Sequence, residues 1–145
     1  MLITTSKPIA KSPIVPVLLG EQCRWAKRFP RGVHITAVVG WGAKASGRRA
    51  EALATARNLP CYRLEDGFLR SFRPGAASPG LSLVVDTQGI YYDATRPSDL
   101  EALLASKKDV LEGLEAQVGQ AMALMLTHEL SKYNHAPPLP VECLR

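Results

Sequence analysis

Apolar and polar residues alternate between two periods along the chain. The stretch Val33-His34-Ile35-Thr36-Ala37-Val38-Val39 is β-branched and almost continuously apolar, the pattern of a strand buried on both faces of a parallel sheet. It runs into the turn Gly40-Trp41-Gly42 and then into a segment of helical period. There Ala50, Leu53, Ala54 and Arg57 share one face, which predicts a helix over about 46–57 with small residues packed on the sheet. Asn58 and Pro60 end that helix, and Cys61-Tyr62-Arg63-Leu64-Glu65 reads as the next strand. Strand, helix and strand with short links form a βαβ unit, whose crossover is expected to be right-handed.

The flanks are less regular. Residues 1–16 carry three prolines and little periodicity, so they read as an extended lead-in, and residues 17–29 as a short helix with Leu18, Leu19, Gln22 and Trp25 or Ala26 on one side. After residue 66 comes a loop rich in Gly, Pro and Ser. Two short strand-like runs, 81–86 and 89–93, then predict a hairpin turning on Asp86-Thr87-Gln88-Gly89. Ser98-Asp99-Leu100-Glu101 is a capping box, which starts a helix reaching about Ala105. A longer helix is expected over 109–132, with Leu111, Leu114, Val118, Ala121, Met122 and Met125 at core spacing. The prolines after 136 make residues 137–145 linker-like. The division is thus a lead-in (1–16), an α/β lobe (17–136) and a tail (137–145). The fold class is α/β, in three layers, with a mainly parallel sheet, an antiparallel hairpin and a long C-terminal helix.

Composition narrows the function classes. The chain has 145 residues, enough for one domain with a real core, and 46% hydrophobic content is ordinary for a globular protein. Cys23, Cys61 and Cys143 are odd in number and far apart, which argues against a disulfide framework or a zinc knuckle and fits reduced thiols in a cytoplasm. His128-Glu129 opens like a zincin motif, but Lys132 stands where the second histidine belongs, so no metal site is expected. The apolar stretch 14–19 is broken by Pro16 and is too short to span a membrane. A formal charge of +5 is gathered in groups such as Arg24, Lys27, Arg28 and Arg31, or Lys44, Arg48 and Arg49. These groups suit a nucleotide-sugar phosphate or an anionic lipid headgroup, and equally a solvated surface. Nucleic acid is not expected, because no RNA- or DNA-binding motif accompanies the charge.

Open α/β sheets bind ligands beyond the carboxyl ends of their strands. Two segments reach that edge, Gly40-Trp41-Gly42-Ala43-Lys44-Ala45-Ser46 and Glu65-Asp66-Gly67-Phe68-Leu69-Arg70-Ser71. The first is neither a Walker A sequence nor a GxGxxG fingerprint, and it reads either as an anion-binding turn before a helix or as a structural turn. In the second, side chains alternate between faces, so one carboxylate of the pair faces the crevice. It could act as a nucleophile on an anomeric carbon or as a general base. It could also pair with Arg63 or Arg70, or cap the following turn.

The run Val39-Gly40-Trp41-Gly42-x-Lys44-x-Ser46-Gly47-Arg48-Arg49-Ala50 resembles the opening motif of the capsule polysaccharide β-Kdo glycosyltransferases of the KpsC and LipA type. Leu64-Glu65-Asp66-Gly67-Phe68-Leu69-Arg70-Ser71 is similar to their next block, and 81–86 with 89–94 to the third. Pro97-Ser98-x-Leu100-Glu101 and Ser131-Lys132-Tyr133-Asn134-His135-Ala136-Pro137 continue the match in order.

The resemblance implies one lobe of a GT-B-like transferase with paired Rossmann-like lobes. The donor would be CMP-Kdo, no cofactor would be needed, and the acceptor would be a phosphatidylglycerol-type or Kdo-primed lipid. Retention of the β configuration implies double displacement, with Asp66 as nucleophile and Glu65 as the second candidate. Gly40, Gly42, Lys44, Ser46, Arg70 and Ser71 would contact the substrate. The resemblance also implies a cytoplasmic protein at the inner face of the inner membrane, working with capsule assembly proteins. Ala43 departs from the basic residue expected there, the 72–78 loop differs, and the ending Val141-Glu142-Cys143-Leu144-Arg145 is unlike the family's continuation. The chain is therefore expected to be a fragment, inactive without its second lobe and prone to self-association. The competing reading is a non-catalytic interaction module with a basic surface for anionic lipid or a protein partner. A transferase lobe would gather Asp66, Lys44 and Arg70; a binding module need not.

Overall fold

The computed structural model describes residues 1–75 and 78–137. They divide into two compact units, Met1–Asp66 with Leu83–Asp109, and Gly67–Ser82 with Val110 onward.

The first unit is built on a five-stranded sheet: β1 (Leu2–Thr4), β2 (Cys23–Trp25), β3 (Ala37–Trp41), β4 (Cys61–Asp66) and β5 (Leu83–Asp86), in the order β2-β1-β3-β4-β5. The first four strands are mutually parallel, with Leu2 opposite both Cys23 and Ala37, and Val38 opposite Cys61. β5 runs antiparallel to β4, with Asp66 opposite Leu83 and Arg63 opposite Asp86. Strand alternation sorts the core into two layers. Leu2, Ala37, Val39 and Leu64 face one side, against Ile9 of α1 (Lys7–Lys11) and Val15 of α2 (Ile14–Leu19). Ile3 and Val38 face the other, against Ala50 and Ala54 of α3 (Ala45–Arg57). Each fully buried aliphatic contributes about 1.5–3 kcal/mol, so these short strands are held by their side chains more than by their length. The result is the expected α/β architecture of three layers on a mostly parallel sheet.

Several local expectations are corrected. Residues 1–16 are not a lead-in. Leu2, Ile3 and Thr4 are fully buried in the interior strand β1, and two short helices follow. Pro8 and Pro16 are accommodated because each lies in a first helical turn, where the missing N–H has no intrahelical partner to lose. The helix expected over 17–29 is instead the end of α2, a left-handed Gly20 cap and strand β2. The hairpin partner at 89–93 does not form. The Asp86 carboxylate takes the amides of Gln88 (2.9 Å) and Gly89 (2.7 Å), which bends the chain out of the sheet, and β5 pairs with β4. The capping box does form: Ser98 Oγ accepts from Glu101 N at 3.1 Å and opens α4 (Asp99–Ala105).

The second unit holds the loop after β4 and α5 (Glu115–Thr127), shorter than the 109–132 expected because Gly113 adopts a positive φ just ahead of it. None of the residues of α5 is buried, Met122 is 53% exposed and Val118 and Met125 are only half-buried, so the methionine face read as core is incompletely covered. The loop closes on itself through Gly67 N to Ser82 O (3.1 Å) and Leu81 N to Arg70 O (2.8 Å). Arg70 N and Ser71 N both donate to Lys132 O, and Asn134 N donates to Phe72 O. Of the tail 137–145, all but Pro137 lies outside the described residues. No described helix is long and apolar enough to cross a membrane.

Candidate functional site

Buried Val38 and Val39 fix β3, and the chain then turns sharply over Gly40-Trp41-Gly42 into α3. The glycines are there because backbone approaches backbone. A Cβ on Gly40 would sit 2.7 Å from the Ala50 Cβ and 2.7 Å from the Gly47 Cα, and one on Gly47 would collide with the Gly42 carbonyl. Gly42 has φ +43° and leaves no room beside Glu65 and the Tyr92 hydroxyl. Ser46 Oγ accepts from Trp41 N at 3.3 Å, and Lys44 N donates to Trp41 O at 3.2 Å, closing the turn. Lys44 stands at the helix N-cap in extended backbone with an exposed side chain. Of the residues expected in an anion-binding turn, Gly40, Gly42 and Ser46 therefore have structural employment, and Lys44 supplies an exposed cation beside it.

β4 delivers Glu65 and Asp66 to the same edge, because Gly42 N donates to Leu64 O (2.8 Å) and so ties the two strand ends together. Alternation sends the two carboxylates to opposite sides. Glu65 is held by three donors: Trp41 Nε1 (3.0 Å) and Asp66 N (3.2 Å) to Oε1, and the Tyr92 hydroxyl (3.3 Å) to Oε2. Tyr92 in turn accepts from Ala43 N at 3.1 Å. Neither Arg63 nor Arg70 is the partner of Glu65 in these bonds. Asp66 ends the strand, half-buried, with its amide held by its neighbour. A carboxylate at a strand end whose backbone is fixed in this way suits attack on an electrophilic carbon.

Beside Gly42 and Ala43 lies a cavity of about 190 Å³ lined by Arg48, Glu51, Arg63, Ile90, Asp93 and Arg96. Arg63, almost fully buried, pairs with Glu51 at 2.7 Å and donates to Gln88 O at 3.4 Å. Arg96 shares the same Glu51 oxygen at 2.9 Å and lies 3.8 Å from Asp93. Burial works against the ionised form of Glu51, but the Arg96 hydrogen bond and the two guanidinium charges outweigh it and hold the carboxyl below its usual range. Arg48 Nη1 donates to Ala43 O at 2.7 Å. These guanidiniums tie α3, β4 and the 89–96 segment together.

That segment is anchored by a second pair of acids. Asp86, fully buried, accepts from the amides of Gln88, Gly89 and Asp99 (3.1 Å for the last). Asp99 reaches back to Thr87 N (2.6 Å) and Gln88 Nε2 (2.7 Å). Burial opposes its charge, yet the bonds from Gln88 and Thr87 hold its carboxyl below the usual range.

Arg70 and Ser71 belong to the second unit. Arg70 Nη1 donates to Ser71 Oγ (2.6 Å) and Ser78 O (3.0 Å), and buried Ser71 donates to Arg73 O (2.7 Å). These bonds lie within their own loop. The residues that sequence reasoning missed are Tyr92, Glu51, Arg96, Asp86 and Asp99. Tyr92 was visible only as part of a tyrosine pair inside an apparent strand. Glu51 sits on the charged side of a helix, where nothing local marks a buried partner. Among the described residues no group of three His, Cys, Asp or Glu side chains gathers as a metal site.

A family model described as capsule polysaccharide biosynthesis protein matches residues 36–143. The chain is 45% identical over 135 residues to the capsule polysaccharide modification protein LipA of Neisseria meningitidis serogroup A, covering 92% of this chain and 19% of that protein. It is 41% identical over 111 residues to the lipopolysaccharide-processing protein LpsZ of Rhizobium meliloti, covering 74% of this chain and 25% of the other. Among solved structures, KpsC of Thermosulfurimonas dismutans, a β-Kdo 2,4 transferase, superposes with a TM-score of 0.82 at 42% identity, over 97% of this chain and 43% of that one. The chain thus spans about a fifth of LipA, a quarter of LpsZ and less than half of the KpsC structure.

Proposed function

The chain belongs to the capsule polysaccharide biosynthesis protein family, and on that footing we propose that it is the first lobe of a retaining β-Kdo glycosyltransferase using CMP-Kdo. The observation that carries this reading is the likeness over almost the whole chain to a β-Kdo transferase structure at 42% identity. The carboxylates of Glu65 and Asp66 at the carboxyl edge of the sheet, with Glu65 held by Trp41 and Tyr92, support it.

In this mechanism an Asp66 oxygen attacks the anomeric carbon of Kdo. The bond from that carbon to the phosphate oxygen breaks, and CMP leaves with the electron pair. A hydroxyl of the acceptor then attacks the same carbon, passing its proton to water, and the bond from that carbon to Asp66 breaks and releases the carboxylate. Two inversions restore the β configuration. Glu65 is less suited to attack, since both its oxygens are occupied by Trp41, Tyr92 and the Asp66 amide. Lys44, exposed beside the turn, steadies the sugar carboxylate or the departing phosphate. The acceptor is an anionic lipid, phosphatidylglycerol-type or already Kdo-primed, met by peripheral contact at the inner face of the inner membrane. A second lobe supplies most nucleotide contacts.

The test is transfer of Kdo from CMP-Kdo to such an acceptor, by this chain alone and with a second lobe supplied, for the parent and Asp66→Ala. Transfer that needs the second lobe and is abolished in Asp66→Ala is the expected result. Transfer that survives Asp66→Ala removes Asp66 as nucleophile and refutes the mechanism.

A further inference from the structure

We infer that Tyr92 and Trp41 are positioning residues that act through Glu65 to hold the Asp66 nucleophile in line. The inference rests on the transferase reading above. Glu65 accepts hydrogen bonds from donors on three different segments: Trp41 Nε1 from the end of β3 (3.0 Å), the Tyr92 hydroxyl from the 89–96 segment (3.3 Å), and the Asp66 amide next door (3.2 Å). The carboxylate is therefore a junction whose position sets that of the Asp66 backbone. Tyr92 closes the circuit by accepting from Ala43 N (3.1 Å), so one phenol ties the β3–α3 turn to the strand end that carries the nucleophile.

The steric facts point the same way. A Cβ at Gly42 would collide with the Tyr92 hydroxyl and lie 2.7 Å from Glu65 Oε2, so the turn is shaped to admit this one phenol–carboxylate contact. The contact is not a buried structural bond, because Tyr92 is about half exposed and Glu65 and Trp41 are only partly covered. Exposed polar contacts contribute little to stability. What the clamp supplies is orientation: Trp41 and Tyr92 approach the two oxygens separately, which fixes the plane of the carboxylate that receives the Asp66 amide. Misplacement of a reacting group by about 1 Å costs on the order of a hundredfold in rate.

Two variants test this in the chain supplied with its second lobe, read by steady-state transfer and by the 15N–1H resonance of the Trp41 indole. Tyr92→Phe removes one bond and little volume; Glu65→Gln keeps the shape and replaces an acceptor oxygen. Both are expected to lower kcat by about tenfold to a hundredfold, with KM within about twofold. The Trp41 indole resonance should move in both, and far-UV circular dichroism should stay unchanged. Asp66→Ala is the control that separates the two readings. If it abolishes transfer while Tyr92→Phe and Glu65→Gln keep kcat within twofold, the positioning role is refuted and the transferase reading stands. A fall in kcat with an unmoved indole resonance also refutes it, because the effect then does not pass through the clamp. If Asp66→Ala still transfers, the transferase mechanism fails, and the positioning role fails with it.

Discussion

Replacing Asp86 by alanine removes a carboxylate that accepts from three backbone amides and should be among the most damaging single changes in the first unit. The side chain is 1% exposed, and its two oxygens take Gln88 N, Gly89 N and Asp99 N at 2.9, 2.7 and 3.1 Å. An orphaned buried donor costs about 1–3 kcal/mol. The Gly89 amide sits in a fully buried bond and carries the full penalty, whereas the other two are part-buried and recover some of it from water. The total is therefore about 3–5 kcal/mol rather than three times the maximum. A domain of this length has about 7–20 kcal/mol in all, so the variant stays folded but weakened. Asp86→Asn keeps one oxygen for Gln88 and Gly89 and turns an amide against Asp99 N, so it should cost about 1–2 kcal/mol. Both tryptophans of the chain, Trp25 and Trp41, lie in the first unit, so their fluorescence in urea reports its unfolding. With a slope near 2 kcal/mol/M, the alanine variant should shift the midpoint down by about 2 M without changing the slope. A shift under about 0.5 M, or an asparagine variant as damaged as alanine, would show that the three amides do not depend on this carboxylate.

Three further outcomes follow from the same geometry. Gly47→Ala must push the Gly42 backbone aside and should cost about 2–3 kcal/mol in the same urea titration; a neutral result would mean that α3 can move off β3 freely. The Glu51 carboxyl is held below its ordinary value, so its stabilising contribution is present above about pH 4.5 and is lost as pH falls through its folded value. Glu51→Gln should flatten that acidic limb of stability against pH, and an unchanged limb would remove Glu51 from it. Burial pushes the Cys23 thiol up to about 11 from 9.0, so stability is full below pH 9 and about 2–3 kcal/mol is lost as pH rises to 11. Cys23→Ala should abolish that part of the alkaline loss, and native Cys23 should resist iodoacetamide at pH 8 by mass spectrometry until urea exposes it.

The central βαβ unit was legible because each of its parts announces itself. A β-branched run, a helix of small residues and Asn58 in the left-handed cap conformation leave few alternatives. The amino-terminal elements were not legible. β1 has three residues and α1 five, too short for any period to register, and the prolines that argued for an extended arm sit where a helix tolerates them. The apparent hairpin at 81–93 failed for a specific reason: the Asp86 side chain, not the backbone, decides where the chain goes next. In α5, spacing told which residues share a face but not whether anything covers it, and Met122 stayed exposed. The site divides the same way. Gly40, Gly42, Ser46, Glu65 and Asp66 were singled out because strand ends are where open sheets bind, whereas Tyr92 reaches Glu65 from 27 residues away, a distance no local pattern spans.

The interior position of β1 has a consequence for how this polypeptide is made. Residues 2–4 leave the ribosome ahead of both their sheet neighbours, residues 23–25 and 37–41. The nascent strand must therefore wait, apolar and unpaired, while about 35 more residues emerge at roughly 5–20 residues per second. β1 is thus a segment whose hydrogen bonds close late, and for a few seconds at each round of translation Leu2 and Ile3 are open to any chaperone or stray strand edge within reach.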